Sequence, residues 1–328
     1  MRSPSLAGFA MVALGFGVGC RAQKHAASDS AAVTQAGRTA GAAHFDAAAW
    51  QPPPETDIRN DSLGAAIRRG LALITHTADS LPAYAPGKLN CTNCHLYGGR
   101  NVDAAPLAGS QARFPKYMDR TGAVIGLADR VNYCFTRSLA GNRLPVDSRE
   151  MGDILAYLAW LSTGVPVGEG KKLPGAEGLH TMPAQLIGDK TRGAAVFTAK
   201  CVVCHGVDGQ GNPAIPPGVP PLWGPKSFSV GASMARQGKA ASFIWHNMPF
   251  GQGKTLTQQE AFDVATYITS KPRTDSPGKE LDWPAGGTPS DVPYSTKEHP
   301  AYQPPPLLPR ANAREAIVPR PALVRGRT

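Results

Sequence analysis

Two five-residue segments carry the most specific chemistry in this 328-residue chain: Cys91-Thr92-Asn93-Cys94-His95 and Cys201-Val202-Val203-Cys204-His205. Two thiols three residues apart can add across the two vinyl groups of one haem. The adjacent imidazole then ligates the iron from one side. A lone Cys-x-x-Cys would also suit zinc or thiol–disulfide exchange. The remaining Cys and His residues form no second paired set, so zinc is the poorer reading. The segments predict two covalently bound haem c groups, with His95 and His205 as axial ligands.

The sixth ligand of each iron is the more informative position. Met248 follows His205 by 43 residues, in Asn247-Met248-Pro249-Phe250-Gly251, a loop ahead of a helical pattern. That slot suits an axial thioether better than core filler, and Met234 is the weaker rival. His246 reads as a surface or supporting group. The first half has no Met in this slot: Met118 comes too early and Met151 lies inside a helical pattern. Cys134 comes 39 residues after His95 and is otherwise unexplained, because an unpaired thiol is unusual in an exported protein. It is therefore expected to ligate the first iron as a thiolate, with a buried free thiol as the plain alternative. A thiolate lowers the reduction potential and Met raises it. The pair would run downhill from haem one to haem two, an asymmetry that suits an enzyme with a reaction site and an electron exit.

The elements that must hold these residues form an internal repeat. Each copy opens with an Arg-Gly pair in an amphipathic helix, Arg69-Gly70 and Arg192-Gly193. Each closes with a matching helix, Asp153-Ile154-Leu155-Ala156-Tyr157-Leu158 and Asp263-Val264-Ala265-Thr266-Tyr267-Ile268. From the ligand His to the helix Tyr is 62 residues in both copies. Thr257-x-x-Glu260 is a capping box, and Asp147-x-x-Glu150 reads as an acidic variant of it. The fold class expected is all-α: two tandem cytochrome c-like haem domains with long loops, over residues 56–170 and 171–275. The Pro-rich remainder, 276–328, reads as a tail that opens as an extended strap around Trp283 and loses its order beyond about Pro304.

The N-terminus predicts export. Arg2 precedes an apolar stretch from Leu6 to Val18, too short to span a bilayer, so residues 1–20 read as a signal peptide. Val18-Gly19-Cys20 fits a lipoprotein cleavage box, although Gly17 stands where Leu is usual. Lipid attachment at Cys20 is the favoured reading and simple cleavage nearby the alternative. Residues 21–55 read as a flexible tether. The location expected is the periplasm, where c-type haem is attached. The formal net charge of +10 owes half its size to Arg310, Arg314, Arg320, Arg325 and Arg327. No dense Lys/Arg run interleaves with aromatics, so nucleic acid is a poor partner.

The block Asp129-Arg130-Val131-Asn132-Tyr133-Cys134-Phe135-Thr136-Arg137-Ser138-Leu139-Ala140-Gly141 resembles the di-haem thiosulfate dehydrogenases. So do Leu144-Pro145-Val146-Asp147-Ser148, Asn247-Met248-Pro249, Lys271-Pro272-Arg273 and Asp282-Trp283-Pro284. The similarity runs from about Ile67 to Tyr294. It implies oxidative coupling of two thiosulfates to tetrathionate, reversibly in some members, with the active site at the Cys/His haem. On matching positions Cys134 would be both ligand and reacting sulfur. Arg120, Arg130 and Ser138 would hold the anions, with Arg137 a lesser candidate. Arginine forks suit sulfonate oxygens, and local positive charge offsets the repulsion of two dianions. Pairing with haem propionates is the bland alternative for these arginines. Some members carry Lys just before the Met, able to exchange as ligand; Asn247 here predicts no such switch. The acceptor expected is a small cytochrome c or a high-potential iron–sulfur protein. Rival readings are a non-catalytic di-haem carrier and a subunit of a sulfur-oxidising complex. A di-haem peroxidase is disfavoured, because His76, His180 and His299 read as ordinary surface or loop residues.

Overall fold

Both halves of the repeat are built on one crossing of two helices. The computed structural model describes residues 45–180, 182, 186–215 and 218–297. Within them, the helices of seven residues or more are α1 (Ser62–Thr75), α2 (Leu127–Tyr133), α3 (Arg149–Trp160), α4 (Lys190–Lys200), α5 (Gln237–Asn247) and α6 (Gln258–Thr269). In the first half α1 packs on α3; in the second α4 packs on α6, with α5 on its other side.

The Arg-Gly pairs explain the crossings. Arg69 donates a fork of two hydrogen bonds to Asp153, both at 2.7 Å, and Arg192 does the same to Asp263 at 2.7 and 2.8 Å. The glycine beside each arginine lets the backbones touch. A Cβ on Gly70 would stand 2.0 Å from the Asp153 carbonyl oxygen, and one on Gly193 would stand 2.1 Å from that of Asp263. The opening helices start on matching caps: Asp61 accepts from Gly64 N at 2.9 Å and Asp189 from Arg192 N at 2.7 Å. Thr257 and Glu260 form the expected capping box of α6. The cap of α3 differs from expectation. Ser148, not Asp147, accepts from Met151 N at 3.2 Å, because the helix begins one residue later, at Arg149.

The first core gathers Ile67, Ile74, Phe135, Ile154, Tyr157 and Leu158, and the second gathers Phe197, Val264, Ala265 and Ile268. Each large apolar side chain buried here contributes about 1.5–3 kcal/mol. Tyr157 does more than fill space, since its hydroxyl donates to the Gly98 carbonyl at 2.7 Å. The closing helix is thereby tied to the loop that follows His95.

One element was not expected. Strands β1 (Lys116–Met118) and β2 (Ala123–Ile125) form an antiparallel hairpin, Lys116 opposite Ile125. Three-residue strands are too short to display the alternation that marks a strand in sequence. Gly122, at φ 62°, makes the tight return, and Arg120 rides on the turn. The strap after α6 comes back to this hairpin, where Trp283 N donates to the Arg120 carbonyl at 2.9 Å.

The expected signal peptide, the Cys20 anchor, most of the tether and the tail beyond Pro304 lie outside the described residues. Among the described residues, no helix is long and apolar enough to cross a membrane.

Candidate active site and haem sites

The first Cys-x-x-Cys-His segment follows the α1–α3 pair because Thr77, fully buried, pins it. Its hydroxyl accepts from Cys91 N at 3.1 Å. Burial pushes the Cys91 thiol up to about 11 and the Cys94 thiol up to about 12. His95 Nδ1 lies 2.5 Å from the Ala105 carbonyl oxygen, an arrangement that fixes the ring and leaves Nε2 free as a ligand. His205 repeats the device, with Nδ1 3.3 Å from the Pro220 carbonyl. Burial holds the His205 imidazolium below its usual pKa, against the opposing pull of that carbonyl.

Facing His95 is the end of α2, where the backbone passes into a π-helical turn, Cys134–Ser138. Such turns often mark functional sites, because the extra residue re-aims a side chain. Cys134 and His95 share an apolar cavity with Ile74, Leu107, Val131, Phe135, Ile154 and Leu158, and it encloses about 440 Å³ of space, part of it open to solvent. Arg130, one turn before Cys134, donates from Nη1 to Cys134 Sγ at 2.9 Å. Burial alone would raise the Cys134 pKa. The Arg130 charge and the neighbouring His95 outweigh burial and bring it to about 6. Of the three cysteines at this site, Cys134 is the one whose surroundings favour the thiolate form.

The site is more basic than Arg130 alone. Burial, then the Arg130 charge, depresses the Arg113 guanidinium to about 10, and Lys116 is lowered by burial and by Arg113 and Arg130. Arg113 donates to the Ala176 and Pro106 carbonyls at 2.9 and 3.0 Å, and its buried Nε makes no hydrogen bond. Arg273 Nε, in the second half, is buried in the same unpartnered state.

Arg120 and Arg137 converge elsewhere, on Asp282 of the strap. Arg120 Nε donates to Asp282 at 2.9 Å, and its Nη2 donates to the Gly231 carbonyl at 2.8 Å and to Tyr294 Oη at 2.6 Å. Arg137 Nη2 donates to Asp282 at 2.7 Å, and Tyr133 Oη at 2.9 Å. Arg120 also stacks between Tyr133 and Trp283, with ring centroids 5.5 and 5.0 Å away. Ser138 closes the π-helical turn, and its carbonyl accepts from Ser229 N at 3.1 Å. The structure therefore brings His95, Cys134 and Arg130 together and joins Arg120 to the site through Tyr133, one residue before Cys134.

In the second half, Met248 follows α5 and packs with the apolar cluster that contains Cys201, Val202, Phe197 and Trp223. It also touches a smaller cluster of Leu96, Ala104, Leu179 and Phe243 that lies between the halves. Met234, its rival, packs against the first core and the same smaller cluster. Asn247 is buried and bonds across to the first half. It accepts from Asn101 Nδ2 at 2.9 Å and donates to the Asp103 carbonyl at 3.0 Å. A lysine there could not accept from Asn101.

These features fit haem. An apolar cavity adjoins paired cysteines, both histidines present Nε2, and buried guanidinium nitrogens are available to acidic groups such as propionates.

Comparison with known proteins agrees. A family described as "SoxA/TsdA, cytochrome c domain" matches residues 83–167, and "Cytochrome c" matches 191–271. A thiosulfate dehydrogenase from Psychrobacter arcticus is 41% identical over 260 residues, covering 77% of this chain and 79% of that protein. The chain belongs to the thiosulfate dehydrogenase family. The thiosulfate dehydrogenase of Allochromatium vinosum is 39% identical, covering 67% of this chain and 83% of its own. A solved thiosulfate dehydrogenase from Marichromatium purpuratum (TsdBA, as-isolated form) superposes with a TM-score of 0.63 at 32% identity. That match covers 70% of this chain, which spans half the length of the solved one. Like other family members, the chain has two cytochrome c domains and carries two covalently bound haem c groups.

Sequence reasoning missed Arg113 and Lys116. Their only signal was two cations three residues apart in a loop, and nothing in that spacing says the loop folds back onto Arg130. Asp282 stands in the sequence as part of Asp282-Trp283-Pro284, where nothing local signals its pairing with Arg120 and Arg137.

Proposed function

We propose that this chain is a periplasmic thiosulfate dehydrogenase. It couples two thiosulfate anions into tetrathionate in the first domain (56–170) and releases two electrons through the second (171–275). The observation that carries this reading is the placement of Cys134. Its Sγ lines an apolar cavity with His95 and is held at 2.9 Å by Arg130.

Cys91, Cys94, His95 and Cys134 would hold the first haem. Cys201, Cys204, His205 and Met248 would hold the other. When bound, the two haems supply one-electron redox centres that take the released electrons and hand them on. The work of the protein side chains is sulfur chemistry. Cys134 Sγ forms a bond to the outer sulfur of one thiosulfate, and the pair is oxidised by two electrons. The product is a protein S-sulfenylthiosulfate-type adduct, Cys–S–S–SO₃⁻. A second thiosulfate attacks the substrate sulfur of that adduct, the Cys134 thiolate leaves, and tetrathionate is released. No proton moves in either step.

Arg130, Arg113 and Lys116 offset the charge of two dianions meeting in one pocket. Arg forks match sulfonate oxygens, and Ser138 supplies a hydroxyl at the end of the π-helical turn. Arg120 acts where the hairpin turn meets Tyr133. Val203 and Val207 flank Cys204 and His205 and are 83% and 81% exposed, a face suited to a soluble acceptor such as a small cytochrome c or a high-potential iron–sulfur protein. Export follows the N-terminal signal, with Cys20 as the anchoring residue.

The deciding experiment is steady-state oxidation of thiosulfate by purified holo-protein with ferricyanide as acceptor and tetrathionate quantified. The expected result is one tetrathionate per two electrons. Cys134→Gly should lower turnover by about a hundredfold or more while both haems stay attached. Full turnover in that variant would sink the role of Cys134. Silence of the native protein in both directions would make it an electron carrier.

A further inference from the structure

Asp103, His180 and His246 take no part in the chemistry above, yet three separate segments bring them together. Asp103 lies in the loop after the first haem motif, His180 in the connection between the halves, and His246 near the end of α5. One ligand atom from each lies within 4.8 Å of the other two. His180 Nε2 is 3.1 Å from Asp103 Oδ1, and His246 Nε2 is 4.0 Å from the same oxygen.

The outer side of each ring is held as well. His180 Nδ1 lies 3.1 Å from Glu177 Oε1. His246 Nδ1 donates to the Ser242 carbonyl at 2.8 Å. An imidazole that donates outward from Nδ1 keeps its lone pair on Nε2. Both Nε2 atoms therefore turn the same kind of donor toward one carboxylate oxygen. Outward partners of this kind, a carboxylate on one ring and a backbone carbonyl on the other, are what fix metal-ligating histidines.

We propose that Asp103, His180 and His246 form a site for one divalent transition metal of the zinc class, bridging the two haem domains. Two imidazoles and one carboxylate suit zinc, with water in the fourth position. Ligand atoms around a tetrahedral zinc lie roughly 3.3 Å apart, so the His180–Asp103 pair already has the spacing and His246 would draw in from 4.0 Å. His180 and Asp103 are 35% and 31% exposed, so an ion has an entry path, while His246 at 11% anchors the inner side. The ion would fasten the loop after His95 to the last turn of α5, beside Asn247, which already bonds to the Asp103 carbonyl.

The test uses untagged, chelator-washed holo-protein titrated with zinc sulfate in a calorimeter, followed by thermal unfolding with and without zinc. The expected result is one saturable site per chain and a higher unfolding temperature with zinc. His180→Ala and Asp103→Asn should abolish both effects. Glu177→Gln, which touches only the outer side of His180, should weaken binding by about tenfold. Unchanged haem absorbance in the variants verifies that they are folded. No saturable binding by the native protein would overturn the proposal, leaving an Asp–His hydrogen-bond cluster only. So would binding that survives in His180→Ala and Asp103→Asn.

Discussion

Cys134 and Cys91 line one cavity, and before haem is attached their thiols meet opposite surroundings. Cys91 meets the Thr77 hydroxyl and apolar walls, and its thiol is pushed up to about 11; Cys134 meets Arg130 and His95 and falls to about 6. The Arg130 charge is the larger of the two lowering influences, and His95 is needed as a ligand, so Arg130 is the side chain to change. Arg130→Ala should lower kcat/KM for thiosulfate by about a hundredfold. Arg130→Lys should recover part of it, because an ammonium keeps the charge and loses the fork. Steady-state kinetics of the two variants separates charge from geometry. The haem motifs, Cys134 and Arg130 were legible in sequence because each belongs to a short local pattern. Arg113 and Lys116 were not. Their contribution depends on where the loop before β1 lies relative to α2, and no local spacing encodes that.

The helix crossings carry their own consequences. An alanine at position 70 or 193 would drive a methyl group into a backbone carbonyl, which neither helix can vacate without separating. Gly193→Ala should destabilise the second domain by about 1–3 kcal/mol or more, read as a fall in the unfolding temperature of the holo-protein. The Arg192–Asp263 fork adds a pH dependence. Asp263 is 3% exposed, and although burial alone would raise its pKa, the Arg192 fork and Asp189 N hold it below the usual carboxylate value. Its contribution is complete above the ordinary carboxylate range and fades as pH falls through the depressed folded-state value. Asp263→Asn should cost about 1–3 kcal/mol at neutral pH. The gap to the native protein should close in strong acid, which thermal unfolding across pH measures. The repeat was legible here because Arg-Gly and Asp-x-x-x-Tyr recur at fixed spacing. The reason for it, a forked ion pair beside a bare backbone contact, required the crossing itself. The hairpin left no readable trace, since its strands are one residue pair either side of Tyr117–Val124.

At the scale of the molecule, positive charge gathers around Cys134, where the proposed reaction brings two anions together. Raising ionic strength should lower kcat/KM for thiosulfate severalfold while leaving turnover at saturation nearly constant, because screening weakens encounter more than the bound state. Initial rates in buffers of increasing salt check this. A second whole-molecule feature is Asp282, 2% exposed, which pairs with both Arg120 and Arg137 across more than a hundred residues of chain. Asp282→Ala leaves two largely buried guanidiniums without a counter-charge and should cost about 3–5 kcal/mol, measured by denaturant unfolding. That pairing also bears on modularity. Residues 56–170 contain a helix pair, a haem motif and Cys134, which looks like a unit that could be moved between genes. Its closing carboxylate, however, is encoded beyond the second unit. A gene split at the linker, or a shuffled partner grafted onto the first half, would lose Asp282 unless the returning segment travelled with it. Ribosomal synthesis therefore reaches the residue that completes the first half only after the second has been made.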